Sequence, residues 1–435
     1  MKKKIIMKKK MFLFLTMVLA ITFASCDEKN NPDKPTFDTT YVDKVDTVFS
    51  EKLVLDTIKV DTILTLDTID LDNDRVIIGY VAYYSKNLPD PFLNTHLCYA
   101  FGKLNMSDDS VYLGFEVENY NRFRSVVKLK EKNPNLKIQL SFSNSAPGGG
   151  FSRMTSVPEY RKKFAQDCLD FIKKEGIDGI DLDWEFPGMA FQPTYLYDVY
   201  NDVDNYTKLF KEIRETIGWD YLLTYAAAPR QEQKYDTGGS RYVDNKAVEP
   251  YVNWINLMTY DFCSTPQPHN AMICSGYWDI QRTFRSYYTA KYPLHKCVLG
   301  IPFYGRHEFE NDKEWYYKEI EDVLIRSFPT IYQKKYDETW KVPYLVKNGE
   351  MWCSYDDPSS IAYKGKWLLE KGMKGLMYWE IEGDNSKKDL QRACWRAMKE
   401  EIVNDTVYNY HIDSVMVMDT IYVPVKDTVI TQNNQ

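Results

Sequence analysis

Positive charge is scarce in this chain. Against 62 Asp and Glu stand 55 Lys and Arg, a formal net charge of −7. Phosphate neutralisation needs clustered basic side chains, so nucleic acid is excluded as an expected partner. Closely spaced cysteines are missing as well. Those at 98, 168, 263, 274, 297, 353 and 394 form no metal-ligand spacing. Most are expected as buried apolar residues, while Cys263 and Cys274 are the pair that would close a loop in an oxidising compartment. The apolar stretch at the N-terminus, Met11 to Ala24, is too short for a membrane span of about 20 residues.

That stretch follows Lys2 to Lys4 and Lys8 to Lys10 and ends at Ser25-Cys26, the layout of an export signal over residues 1–25. Phe23-Ala24-Ser25-Cys26 resembles a bacterial lipobox, which implies cleavage before Cys26 and a lipid anchor on that residue. Asp27 and Glu28 resemble the surface-export signal of lipoproteins from Bacteroides-type bacteria. The location implied is the bacterial outer membrane, facing outward. Loss of the leader lysines takes the net charge to about −13.

Residues 26–74 repeat an Asp-Thr unit with apolar neighbours: Asp46-Thr47-Val48, Asp56-Thr57-Ile58, Asp61-Thr62-Ile63 and Asp67-Thr68-Ile69. The unit returns in residues 401–435 as Asp405-Thr406-Val407, Asp419-Thr420-Ile421 and Asp427-Thr428-Val429. Thirteen acids against five lysines between Asp27 and Asp74 favour an extended charged spacer. The alternative is a small β-module that pairs the two ends.

Between about Arg75 and Glu400 eight apolar strand candidates begin at Val76, Leu97, Ile138, Gly179, Leu222, Trp254, Val298 and Gly375. Helical faces intervene, such as Phe164, Cys168, Phe171 and Ile172 at i, i+4, i+7 and i+8. Eight strands alternating with helices predict an α/β fold, a (β/α)8 TIM barrel over 75–400. The long gap before the eighth strand predicts a small α+β insertion at about 307–355.

The densest chemistry is Asp178-Gly179-Ile180-Asp181-Leu182-Asp183-Trp184-Glu185. In an extended chain alternate side chains share a face, which sets Asp181, Asp183 and Glu185 about 7 Å apart in sequence order. Carboxylates so crowded resist ionising together, and a retained proton makes a general acid. The bulk of Leu182, Trp184 and Phe186 suits a packed layer rather than an acidic surface strand, and the glycine and distal Glu of a calcium loop are missing. Barrel enzymes act at the C-terminal ends of their strands. Those ends carry Asp183 and Glu185, Met258-Thr259-Tyr260-Asp261, Phe303-Tyr304-Gly305-Arg306 and Tyr378-Trp379-Glu380. Aromatic faces stack on sugar rings while carboxylates and phenols bind hydroxyls, so the set suits a carbohydrate.

These residues resemble glycoside hydrolase family 18, the chitinases and their relatives. Asp178, Asp181, Asp183 and Glu185 supply every charged position of its DxxDxDxE signature. Thr95-His96-Leu97-Cys98-Tyr99-Ala100-Phe101 is similar to the second-strand motif, Met258 to Asp261 to the sixth, Gly300 to Arg306 to the seventh, and Gly375 to Glu380 to the eighth. Lys341-Val342-Pro343-Tyr344 and Ser354-Tyr355-Asp356-Asp357-Pro358 resemble the end of the insertion of the deep-cleft subgroup. The third-strand SxGG departs, appearing as Ser141-Phe142-Ser143-Asn144 with glycines only at Gly148 to Gly150.

The resemblance implies that Glu185 protonates the glycosidic oxygen and that Asp183 orients the substrate's N-acetyl group, which attacks the anomeric carbon. Asp181 would exchange a proton with Asp183, and Tyr260 would bond the acetamide over a floor made by Trp379. Tyr80 and Ser141 would support Asp181, Asp261 and Arg306 would bind sugar hydroxyls, Met258 would wall the pocket, and Trp184 and Tyr304 are further expected substrate contacts. No metal or cofactor is implied. The expected protein is a monomeric chitinase acting on β-1,4-linked N-acetylglucosamine polymers, membrane-bound through the lipid anchor at Cys26. The alternatives are an endo-β-N-acetylglucosaminidase acting on the N-glycan chitobiose core and a non-catalytic lectin.

Overall fold

The structure, a computed structural model, describes residues 75–143, 150–189, 196–230, 243–276, 278–308 and 314–399. The leader with Cys26, both Asp-Thr segments, and Asn144 to Gly149 of the altered third-strand turn lie outside the described residues.

Eight parallel strands form the barrel: β1 (Val76–Ala82), β2 (His96–Met106), β4 (Lys137–Ser143), β5 (Gly179–Asp183), β6 (Leu222–Ala227), β7 (Trp254–Leu257), β8 (Cys297–Pro302) and β14 (Gly375–Trp379). Each starts within one residue of its expected position. β1 pairs with β14 on one side and β2 on the other, so the sheet closes on itself. Every position of β1, β5 and β8 is buried, as befits parallel strands packed on both faces.

Helices α1 (Tyr120–Val127), α2 (Gly150–Ser156), α3 (Pro158–Glu175), α4 (Asp202–Ile217), α5 (Asn245–Val248), α6 (Ile280–Thr289), α7 (Pro358–Glu370) and α8 (Asp389–Lys399) lie between or after the strands. In α3 the sequence sets both ends. Pro158 occupies the first turn, where its missing N–H costs nothing, and Gly176 closes the helix at φ 69°. Its Phe164, Cys168 and Ile172 are buried in the main core, with Phe171 packed at the margin.

One strand escaped the sequence. β3 (Tyr112–Val117) pairs antiparallel with the long end of β2, outside the barrel. Gly114 and Glu116 break its apolar pattern, and it depends on β2 for its hydrogen bonds.

The insertion between β8 and β14 is an α+β lobe. β9 (Tyr304–Gly305) pairs with β10 (Trp315–Tyr316), and β11 (Tyr332–Asp337), β12 (Val342–Lys347) and β13 (Glu350–Ser354) form an antiparallel sheet after a short helical stretch. A buried ion pair fastens its end to the barrel, with Lys364 Nζ 2.7 Å from Asp356 Oδ2 and 2.9 Å from the Asn270 carbonyl. The cysteines at 98, 168, 274, 297, 353 and 394 are buried thiols that form no disulfide; Cys263, half-buried, forms none either and touches Cys274.

Candidate active site

Alternation along β5 turns Asp181 into the barrel lumen and Leu182 outward into the helical layer. Asp181 is fully buried and accepts four hydrogen bonds. Tyr80 OH and Ser141 Oγ donate to Oδ2 at 2.9 and 2.7 Å, and Thr224 Oγ1 and Asn256 Nδ2 donate to Oδ1 at 2.6 and 3.3 Å. Burial raises the Asp181 pKa, against the pull of those four donors. Tyr80 and Ser141, which the family resemblance implied as supports of Asp181, are two of the four donors. Thr224 and Asn256 were not foreseen, because a Thr and an Asn on neighbouring strands carry no motif of their own.

β5 ends at Asp183, so Glu185 does not continue the strand face, and its carboxyl is hydrogen-bonded to Asp183. The equal steps expected along the strand therefore stop at Asp183. Both groups titrate high. Burial comes first for Asp183, then the charges of Glu185 and Asp181, and its pKa lies well above the usual carboxylate range. Glu185 is pushed up to about 7, by burial and then by Asp261, against the Asp183 hydrogen bond. Crowding alone was the expected cause of the retained proton; burial is the larger one. Asp183 Oδ1 is buried without a partner, while Asp181 spends both oxygens on its four donors, so Asp183 leans toward Glu185 rather than Asp181.

Tyr260, Met258 and Trp379 are all half-buried and pack on the lumen cluster of Tyr80, Ala100 and Met377. Trp379 has Phe101 stacked at 5.8 Å and Tyr80 tilted at 5.7 Å. Burial, followed by the Asp183 and Glu185 charges, holds the Tyr260 phenol protonated. Tyr260 fits because Gly300 faces it. A Cβ at Gly300 would lie 2.9 Å from Tyr260 Cε1. Phe101 was an unassigned member of the second-strand motif.

Asp261 sits just past β7 with φ 57°, in the left-handed region that few non-glycine residues adopt. Arg306 binds it with Nε 2.7 Å from Oδ1 and Nη2 3.0 Å from Oδ2. His269 Nδ1 is 3.2 Å from Oδ1. Burial pushes the Asp261 carboxyl upward, but the His269 contact and the Arg306 guanidinium outweigh it and hold the pKa below the usual range. Tyr304 is 1 % exposed and donates to Asp261 Oδ2 at 2.9 Å, which makes it a support behind Asp261 and corrects its expected place on the rim.

Trp184 needs the same correction. It is buried in the outer core, stacked on Phe151 at 5.4 Å and edge-on to Tyr206 at 5.0 Å. Leu182 lies in that core too, so the packed-layer reading accounts for Trp184 and the sugar contact does not. Tyr378 likewise belongs to the core, 4.1 Å from Phe303. Glu380 is buried and accepts from Ser85 Oγ at 2.7 Å and Tyr316 OH at 3.0 Å, tying the loop after β1 to the insertion.

Glu314, from the start of the insertion, was missed altogether. It bonds Arg306 Nη2 at 3.3 Å and is pushed up to about 7 by burial and then by Asp261, with Arg306 opposing. A single Glu in the insertion, outside every motif, gives no sequence signal.

A closed barrel with three carboxyls and an aromatic floor at its strand ends is the architecture of a glycoside-cleaving enzyme class. The chain belongs to Glycosyl hydrolases family 18, whose profile matches residues 76–384. It is 29% identical over 373 residues to chitinase A1 of Niallia circulans, covering 74% of this chain and 48% of that protein. Chitotriosidase-1 of Mus musculus is 28% identical over 326 residues, 68% of each chain. The chain therefore spans about half the length of the first relative and two thirds of the second. Among solved structures, a class V chitinase from Nicotiana tobaccum in complex with NAG4 superposes with TM-score 0.64 at 25% identity, covering 74% of this chain and 99% of that one. An N-acetylglucosaminidase from Paenibacillus barengoltzii matches at TM-score 0.63 and 25% identity, over 74% of this chain and 99% of its own.

Proposed function

We propose that the protein hydrolyses β-1,4-linked N-acetylglucosamine polymers, chitin and its oligosaccharides, with retention at the anomeric carbon. The contact between Asp183 and Glu185 carries the reading. Glu185 keeps its proton to about pH 7, so it can protonate the departing glycosidic oxygen near neutrality. Asp183 Oδ1, buried and unpartnered, is the acceptor that an acetamide N–H satisfies. The acetamide oxygen then attacks the anomeric carbon, forming an oxazolinium ion, the substrate-assisted route among retaining glycosidases. The protonated phenol of Tyr260 donates its O–H to the acetamide oxygen, and Trp379 lies flat beneath the ring. Asp181, fixed by four donors, supplies the negative charge that keeps Asp183 protonated until the acetamide needs it.

The chitinases among the relatives and the NAG4 complex of a structural neighbour support the substrate class. The seventh-strand motif and the insertion lobe favour a polymer over the N-glycan core. The presence of both Asp183 and Glu185 weighs against a sugar-binding protein without turnover. The basic and apolar N-terminus ending at Cys26 supports export, a lipid anchor and a place on the outer membrane, and the chain is proposed to act as a monomer. The test is the purified protein on chitin oligomers. Soluble products with a retained anomer are expected, and Glu185→Gln should lose at least about a hundredfold in rate. Undiminished turnover in that variant removes Glu185 from its role.

A further inference from the structure

His269 belongs to none of the strand-end motifs, yet it is fully buried and reaches the Asp261 carboxylate. We infer that His269 is a positioning residue that presets Asp261, and through it Arg306, for the sugar hydroxyls they bind; the inference rests on the hydrolase reading above.

Three observations place it. Its Nδ1 is 3.2 Å from Asp261 Oδ1. Its ring lies against Tyr304 with centroids 5.4 Å apart and a tilt of 32°, and Tyr304 itself donates to the other oxygen of Asp261. Its backbone is fixed on two sides, since its N–H donates to Ser354 Oγ at 2.9 Å and its carbonyl accepts from Phe262 N at 3.0 Å. His269 thus links the end of the insertion, through its backbone N–H on Ser354, to Asp261 in the loop beyond β7, through its imidazole.

The chemistry of the ring gives the direction of the bond. Nδ1 lies 3.3 Å from the Asp261 backbone N–H, which asks for a lone pair, and 3.2 Å from Oδ1, which asks for a hydrogen. A bond to a charged oxygen is about twice as strong as one between neutral groups, so Nδ1 carries the hydrogen. That choice leaves the Nε2 lone pair buried with no partner, an unfavourable state. A phenyl ring would fill the same space on Tyr304 without it. An imidazole there is explained by what Nδ1 does for Asp261.

Asp261 needs such help because its backbone is left-handed and it stands in the loop beyond β7, outside the strand's hydrogen bonds. A carboxylate set in place before the sugar arrives avoids part of the ordering cost of binding. Loss of the preset is a loss of uniform binding, which moves KM and spares kcat.

The test compares His269→Phe, which keeps the ring on Tyr304, with His269→Asn, which restores a donor. On the N-acetylglucosamine tetramer the Phe variant should show KM raised at least about fivefold with kcat within about threefold, and the Asn variant should recover KM to within about twofold. A Phe variant with wild-type KM, or an Asn variant as weak as Phe, overturns the inference. Nitrogen NMR of the wild-type full chain gives a readout independent of turnover and of variant folding. A hydrogen on Nδ1 of His269 is expected, and one confined to Nε2 overturns the proposal. Should the wild type leave the tetramer uncut, the hydrolase reading fails, while the NMR result still decides the Asp261 contact.

Discussion

Thr224 Oγ1 donates to Asp181 Oδ1 across 2.6 Å, from the strand paired beside the one that carries the carboxylate. With Asn256 at 3.3 Å on the same oxygen, Thr224 is the closer of the two donors there. Thr224→Val keeps the shape and deletes the donor. A buried acceptor stripped of a partner costs about 1–3 kcal/mol, read as a lower urea midpoint. The Asp181 charge becomes easier to neutralise, so Asp183 loses part of its reason to hold a proton, and kcat on chitin oligomers should fall about tenfold, equivalent to about 1.4 kcal/mol. Unchanged stability and rate together would show that Thr224 is only filler.

The lobe and barrel share one buried cation. Lys364 Nζ meets Asp356 Oδ2 at 2.7 Å, with both side chains at 0 % exposure. Burial lowers the Lys364 pKa and the Asp356 charge opposes that. Lys364→Met leaves Asp356 buried beside no cation and should cost about 3–5 kcal/mol in urea unfolding. Lys364→Met with Asp356→Leu should recover part of it, because two matched apolar groups remove the uncompensated charge. A double variant no better than the single one would place the loss in the Asn270 and Ser360 contacts of Asp356 instead.

Gly300→Ala tests the packing under Tyr260. The new Cβ meets the Leu257 carbonyl, Met377 Cε at 2.9 Å and Tyr260 Cε1 at 2.9 Å. Overpacking of this kind costs roughly 1–3 kcal/mol. Backbone on one side cannot yield, so the Tyr260 ring moves, and turnover should drop by more than the thermal midpoint suggests. A variant that loses stability but keeps full activity at 25 °C would show that Met377 gives way alone.

The barrel was legible because its strands are continuous apolar runs and its helices carry one apolar face, so eight starts such as Gly179 and Trp254 could be placed from composition alone. Asp181, Asp183 and Glu185 were legible through their fixed spacing. Trp184 and Tyr304 were misplaced because a motif names a residue without saying which face it takes, and the face is decided by neighbours such as Phe151 and Asp261 from distant parts of the chain. Thr224, Asn256, His269 and Glu314 were invisible for a related reason. Each matters through one contact to a residue on another element, and no local pattern records such a contact.

The raised carboxyls set how stability depends on pH. Glu185 rises from 4.5 to about 7 and Asp183 rises well above 3.8, so between those limits the folded chain holds more protons than the unfolded one. Stability must then decline as pH climbs, being fully present below about pH 4 and lost as the folded groups ionise near and above pH 7. The same proton is the one donated in catalysis, so the alkaline limb of kcat/KM should also fall near pH 7. Asp183→Asn removes one of the two hydrogen-bonded carboxyls. Its thermal midpoint should exceed that of the wild type at pH 8 and converge with it at pH 4, while its turnover is lost at both. Parallel pH profiles for the two proteins would mean that Asp183 and Glu185 ionise freely, and the retained proton would have to be assigned elsewhere.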